Sequence, residues 1–382
     1  MNANSSFSLW LEDLIYYFAY FPLIIQIAII VSVFAIAGTV LAYGYLIIHR
    51  LRRNNQLRKE APLREQVNNL LLEQVVFQSV NKPGEENTEL ANIFRSLPLN
   101  KDWARGVIIS QLLEHRRSFT GDIATMLRSL YLELGLETNA VAGLRSLHRK
   151  KVIASLVELS GMGVLLEEAH ILTLTQSTDK YIREMARCYM VQCSETNPFG
   201  FLDQVSTPML SWEQFELFRI ISLRKDITVP SFARWIDPAF HPSVIDLSIK
   251  LATYYQQPEA IPVMIRLLPT VSESLRASMI NSLGKLVATD AEDVLVGMYQ
   301  EQALPCRMEI LKALGRIGTG RFLDFLEHEL ETSDEFLLIK NAARSIVAHH
   351  MLAAQRIKEL QHQLTGARLL ALQHSLNPLI TY

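Results

Sequence analysis

Glu167 and His170 stand at an ExxH spacing, which puts a carboxylate and an imidazole on one face of a helix. A di-iron site in a helical bundle combines two such pairs with two further carboxylates. The nearest candidates in this chain do not repeat the spacing, so no metal is expected here. His328-Glu329, the one His-Glu dipeptide, lies in the charged run EHELE and reads as a solvated helix face. His349-His350 closes an apolar helical stretch and is expected to meet the last carbonyls or the negative end of the helix dipole. Cys188, Cys193 and Cys306 are an odd number without a CxxC pair, which reads as free thiols in a reducing compartment.

Nucleotide and acyl-transfer chemistry find no better footing. GTGRFL, Gly318–Leu323, has closely spaced glycines ahead of a helix. It lacks both a preceding strand and the GK[ST] ending of a phosphate-binding loop, and reads as an inter-helix turn. No GxSxG, HExxH or kinase signature set occurs. LALQHSLNPLI, Leu370–Ile380, echoes the phospho-acceptor helix of sensor kinases. Leu379 stands where that class has a histidine after the proline, so the segment reads as a capping helix packed through Leu369, Leu370, Leu372 and Leu376. Basic clusters at Arg116-Arg117, Arg145–Lys151 and Arg224-Lys225 are offset by acidic runs at Glu167-Glu168 and Glu327–Glu335. With a net charge of −2 and 20% charged residues there is no global basic field, so nucleic acid is not an expected partner. The cluster LHRKK, Leu147–Lys151, reads as a solvated helix start; a partner's acidic surface or lipid headgroups is the alternative. The chain is therefore expected to be a non-enzyme without catalytic residues, metal or cofactor.

The elements that would position any site are organised around Leu23–Ile48, LIIQIAIIVSVFAIAGTVLAYGYLII, a run without a charge. As a helix it reaches roughly 39 Å, against about 30 Å for a bilayer's hydrocarbon core. A cleaved signal peptide would need a basic start and a much shorter apolar run; here no Lys or Arg precedes Arg50. Residues 22–49 are thus expected to be a retained transmembrane helix. Glu12 and Asp13 precede it, whereas Arg50, Arg52, Arg53, Arg58 and Lys59 follow it. The positive-inside rule then puts the N-terminus outside and the rest of the chain in the cytoplasm, at the inner membrane. Residues 1–21 are crowded with aromatics. Trp10, Tyr16 and Tyr17 on one side of the span, and Arg50, Arg52 and Arg53 on the other, are the expected membrane-interface residues, with a partner-binding surface inside the membrane as the alternative for the aromatics.

Residues 50–88 read as a basic juxtamembrane segment and a stalk helix. Pro62 would stand in its first turn, apolar residues follow at 63, 67, 70, 71, 75 and 76, and the break NKPGEENT, Asn81–Thr88, comes after. From Glu89 the helical period dominates, and candidate helices cover Trp103–Arg117, Asp122–Leu136, Leu165–Thr175, Lys180–Cys193 and Glu213–Leu223. In the last third the chain repeats itself. SLGKLVATDAEDVL, Ser282–Leu295, recurs as ALGRIGTGRFLDFL, Ala313–Leu326, offset by 31 residues. KLATYYQQPEAIPVMI, Lys250–Ile265, and NAARSIV, Asn341–Val347, are looser copies, and Asp179–Cys193 has the same look with Ile182, Ala186 and Met190 on one face. Each unit reads as an apolar helix, a small-residue turn and a second helix beginning near Val294 or Phe322. Helix pairs at a fixed period imply an α-solenoid, here an all-α repeat domain over 89–350 with capping helices over 351–382.

Leu283-Gly284 and Leu314-Gly315 before the turns resemble HEAT repeats, where the glycine is expected to let the chain leave its helix in a left-handed conformation. LYLELGL (130–136), HRKKVIASLVELSGM (148–162), SWEQFELF (211–218) and FARWI (232–236) further resemble a bacterial family of HEAT-repeat proteins with one N-terminal membrane span. The resemblance implies a scaffold or adaptor that binds protein partners at the cytoplasmic face of the membrane, in the company of integral membrane glycosyltransferases of surface-polysaccharide systems. Inner-helix cations Arg276, Lys285, Arg307, Lys312 and Arg316 would supply the polar contacts. The alternative is a HEAT-like enzyme held at the membrane, metal-dependent or of the lyase type. The di-iron deoxyhypusine hydroxylases carry several His-Glu dipeptides, whereas this chain has one.

Overall fold

The computed structural model describes Phe18, residues 20–76 and residues 87–379. All regular structure among them is helical, and the chain divides into two compact units, residues 1–137 and 138–382. The aromatic segment containing Trp10, Tyr16 and Tyr17 lies outside the described residues.

The first unit is built on α1, Leu23–Leu70, followed by a π-helical turn over Leu71–Val76. From Leu23 to Ile48 this helix is long and apolar enough to cross a membrane, and the described residues leave it almost wholly exposed. Two of its hydroxyls are satisfied on the helix itself: Ser32 Oγ donates to the Ala28 carbonyl at 2.8 Å, and Thr39 Oγ1 to Ala35 at 2.7 Å. The expected stalk is not a separate helix. α1 continues through Arg50–Lys59 and passes Pro62 without ending, so Pro62 is interior and not a first-turn residue. One backbone hydrogen bond is lost there, but the run from Arg50 to Ala61 is rich in strong helix formers, and Leu63, Val67 and Leu71 bury themselves one turn further on. That buried stripe packs on α3, Asp102–Ser118, whose Val107, Ile108 and Leu112 are buried in turn; Asn68 Oδ1 and His115 Nε2 meet at 2.9 Å. α2, Asn87–Arg95, begins inside the stretch expected to be a break and packs on α4, Asp122–Glu133.

The second unit runs from α5, Glu137–Gly143, an element missed in the sequence. A principal series follows: α6, Arg149–Met162; α8, Lys180–Cys193; α9, Ser211–Leu223; α10, Pro242–Tyr254; α12, Glu273–Lys285; α14, Leu304–Ile317; α16, Phe336–Ala348; and α18, Gly366–Leu376. Each helix of this series packs on the next. The helices between them pack behind: α7, Glu168–Leu174; α11, Ala260–Leu267; α13, Glu292–Met298; α15, Leu323–Thr332; and α17, His350–Gln363. The second helices of the repeats thus start at Glu292 and Leu323, within two residues of expectation. In α18 it is Ala371 and Leu372 that are buried, whereas Leu370 faces outward.

A 31-residue register runs through the backbone itself. Gln256, Val287 and Gly318, each 31 residues after the last, all take left-handed φ angles of 52°, 54° and 75° at the ends of α10, α12 and α14. Ile249, Ile280, Leu311 and Ala342 repeat the step in the principal helices, as do Met264, Leu295, Leu326 and Ile357 in the helices behind; all eight are buried. The glycines of the Leu-Gly pairs do something other than expected. Gly284 and Gly315 lie inside their helices, and the left-handed turn falls three residues later. They are needed because neighbouring helices touch there: a Cβ on Gly284 would lie 2.7 Å from Ala313 Cα, and one on Gly315 would lie 2.9 Å from Ser345 Cα.

Two substitutions in one turn of α12 should therefore move stability in opposite directions. Gly284→Val must push α14 away and is expected to cost about 1–3 kcal/mol. Val287→Gly removes a β-branched residue from a left-handed position while losing a side chain that is 53% exposed, and is expected to gain about 1 kcal/mol. Thermal unfolding of the two variants beside the parent checks both signs.

Candidate functional site

A cleft of about 960 Å³ runs along the outward face of α9, α10, α12 and α14 in the second unit. Helical periodicity builds it. Ser211, Phe215 and Phe218 are four and three residues apart on α9; Lys250 and Tyr254 are four apart on α10; Ala277, Asn281 and Lys285 are four apart on α12; and Glu309 comes from α14. The opposite faces of the same helices carry the buried Leu217, Ile220, Ile221, Leu251, Met279 and Leu283.

One end of the cleft is aromatic. Phe215 is 57% exposed and stacks on Trp212, itself 72% exposed, with ring centroids 5.8 Å apart. Phe218 meets Tyr254 edge to face at 5.1 Å. The rest is a polar ladder crossing from helix to helix. Lys250 Nζ donates to Asp246 Oδ2 at 2.6 Å and to Gln214 Oε1 at 3.2 Å, and Ser278 Oγ donates to Asp246 Oδ1 at 2.9 Å. Further along, Asn281 Nδ2 and Lys312 Nζ donate to the two oxygens of Glu309 at 3.0 and 2.7 Å. Arg316 lies over this end, with Nη1 3.5 Å from the Asn281 carbonyl.

The expected partner-binding cations are therefore divided. Lys285 lines the cleft, and Lys312 and Arg316 gather beside it around Glu309 and Asn281. Arg276 and Arg307 are turned into the packing. Arg276 Nε donates to the Leu268 carbonyl at 2.7 Å and Nη1 to Gln302 Oε1 at 2.7 Å, which ties α12 to the segments on either side. Arg307 lies 4.5 Å over the Tyr299 ring and pairs with Glu329 at 3.0 Å. That pairing corrects the reading of EHELE: His328 is exposed, but Glu329 is buried, because α15 needs a counter-charge for the arginine of α14. Burial and the adjacent Glu329 carboxylate push the Tyr299 phenol up. Of the interface residues, Arg50, Arg52 and Arg53 project from α1 and are exposed.

The remaining motifs of the sequence are structural ties. Gly318–Leu323 is a turn in which Thr319 Oγ1 donates to both oxygens of Glu292, at 2.7 and 2.8 Å. His349 is buried, and its Nδ1 lies 2.7 Å from the Ser345 carbonyl, at the end of α16 as expected. Glu168, beside the ExxH pair, accepts from Ser194 Oγ, from Thr196 Oγ1 at 2.6 Å and from the Asn197 amide at 3.3 Å. The hydroxyl of Ser194, then that of Thr196, hold its carboxyl below the usual carboxylate range. None of the three cysteines is in a disulfide, and burial pushes the Cys188 thiol up to about 12. Among the described residues no group of three or more His, Cys, Asp or Glu side chains converges on a common point.

Two features of the cleft and its support escaped the sequence. The aromatic end of the cleft lay in SWEQFELF, where Trp212, Phe215 and Phe218 at spacings of three signalled a helix apolar on two faces. The second is the pair Arg187 and Glu213, both buried and 2.6 Å apart, which joins α8 to α9 directly behind Gln214 of the cleft. Burial pushes the Glu213 carboxyl up and Arg187 opposes this; the guanidinium's Nε and Nη2 have no partner. No protein-family model matches the chain, and no curated protein is similar to it.

Glu213→Ala would strand a fully buried guanidinium and is expected to cost about 3–5 kcal/mol, whereas the isosteric double change Arg187→Met with Glu213→Leu should recover most of it. Chemical denaturation of the three proteins decides this. Because the Glu168 pKa is lowered in the fold, its contribution is present above the ordinary value of 4.5 and is lost as pH falls through the depressed one. The gap in thermal midpoint between the parent and Glu168→Gln should therefore be widest above pH 4.5 and close below it.

Proposed function

We propose that this protein is a single-span membrane adaptor that holds a partner protein in the cleft of its second unit. The observation that carries the reading is the cleft's aromatic end: Phe215 and Tyr254 are about half-exposed, and the more exposed Trp212 stacks on Phe215, beside hydrogen-bonding groups of four helices. Aromatic side chains in a concave, partly apolar surface are the usual anchors of protein interfaces. The second unit is an α-solenoid of HEAT-like pairs on this reading, supported by the 31-residue register of its turns and buried positions. α1 spans the membrane. Its uncovered apolar length and internally satisfied hydroxyls favour lipid around it, and the five cations that follow favour a cytoplasmic second unit. The partner is a membrane protein of the glycosyltransferase kind on the strength of the family resemblance.

A reporter fused after Tyr382 should be active only in its cytoplasmic form; activity confined to the outside would overturn the topology. Cross-linking in intact membranes, followed by detergent purification of the full chain, should recover a membrane protein. The double variant Phe215→Ala with Tyr254→Ala should reduce that recovery by about tenfold or more while leaving the circular dichroism spectrum unchanged. Equal recovery would remove the cleft from the proposal.

A further inference from the structure

The start of α6 forms a second surface, remote in sequence from the cleft. Leu147 is 101% exposed among the described residues, and its sequence neighbours Arg145, His148, Arg149, Lys150 and Lys151 are all exposed too. Within this cluster only Arg149 has a carboxylate, Asp179 at 3.7 Å, and it also lies 5.2 Å over the Tyr181 ring. Lys180, which approaches the same ring at 5.9 Å, is paired with Glu184 at 3.6 Å. Arg145, Lys150 and Lys151 make no ion pair among the described residues. Beside Leu147 a shallow hollow of about 340 Å³ is lined by Arg149, Lys150, Ile153, Ala154 and Tyr181.

Local energetics do not account for this arrangement. The first turn of α6 is Arg149-Lys150-Lys151 with no acidic residue, and His148 makes no side-chain cap. Three cations at the positive end of a helix dipole each oppose it. A fully exposed leucine between them is equally unfavourable in water. Both terms reverse sign against a surface that is anionic outside and apolar just beneath. There the cations meet phosphate, Leu147 enters the acyl boundary, and half-exposed Tyr181 sits at the headgroup level with ring and hydroxyl in different media.

We infer that the Arg145–Lys151 tip of the second unit, with Tyr181, docks on the anionic phospholipid headgroups of the membrane. The inference uses the proposed span only to supply a nearby membrane, and the test separates the two. Full-length protein carrying Leu147→Cys, labelled there with an environment-sensitive fluorophore, is reconstituted into nanodiscs of phosphatidylcholine alone or with phosphatidylglycerol. Spin-labelled acyl chains are the quencher. Quenching and a blue shift in the anionic discs, lost on adding Lys150→Glu and Lys151→Glu, are expected; each charge is worth about a fivefold change in association. Equal quenching in neutral discs would overturn the headgroup reading, and no quenching in either would overturn docking. Protection from a water-soluble quencher that appears in native membranes but not in anionic discs would assign the tip to an acidic protein instead. Free inorganic phosphate that releases the tip at millimolar concentration would reduce it to a simple anion site. Failure of the chain to co-elute with the discs would overturn the span alone; anionic vesicles added to that protein would still read the tip.

Discussion

Everything in the second unit depends on how closely consecutive principal helices can approach. At Gly284 and Gly315 the backbones of α12 and α14 come within contact of Ala313 and Ser345, leaving no room for a Cβ. A helix pair of some 31 residues buries little by itself, and on the proposed solenoid reading it is stabilised by neighbours that stack at a constant step. The left-handed residues at 256, 287 and 318 keep that step by ending each principal helix at the same point of the cycle. That two of the three are Gln and Val shows how firmly the surrounding packing imposes the turn, since neither residue favours it.

A constant step has a consequence on the other side of the same helices. Once one face of α9, α10, α12 and α14 is committed to the core, residues four apart on the opposite face line up into rows, and adjacent rows meet side by side. Lys250 and Asp246 bridge α9 to α12 in this way, and Glu309 bridges α12 to α14. The ladder spans several helices without burying its charges, so its contribution to stability is small and its groups stay accessible. The buried charges lie elsewhere. Arg187 and Glu213 are both inside the packing, as is Glu329, which pairs with the partly exposed Arg307; the two pairs join α8 to α9 and α14 to α15.

The architecture was legible where local chemistry decides it, and less so where tertiary contact does. Lys180–Cys193 forms as written because Asp179 caps it, its carboxylate accepting from Tyr181 and Ile182. The 31-residue offset was visible as a repeated string and is present in the backbone. Pro62 was misread because its penalty is local, whereas the burial of Leu63, Val67 and Leu71 that offsets it comes from α3. The Leu-Gly glycines were misread for the same reason: a glycine near a helix end suggests a turn, and only the neighbouring helix shows that it serves a contact. The site was hardest. Charge alone could not separate Lys285, on the cleft, from Arg276 and Arg307, in the packing, because the direction of a long side chain depends on which carbonyls and rings lie within its reach.

The exposed aromatics of α9 and α10 are the least self-explanatory part of the molecule, and the proposed topology gives them a reason. Trp212, Phe215 and Tyr254 in a freely diffusing protein would be an association hazard without a cover. In a protein confined to the plane of a membrane, encounters with other membrane proteins occur at a raised effective concentration. A cleft under those conditions does not need a deep, closed pocket to be occupied. A few rings backed by a ladder of hydrogen-bonding side chains suffice, because the tether supplies what the contact area does not. On the proposed function, the apolar length of α1 and the openness of the cleft follow from one requirement: weak, repeated recognition at a surface where partner and adaptor share two dimensions.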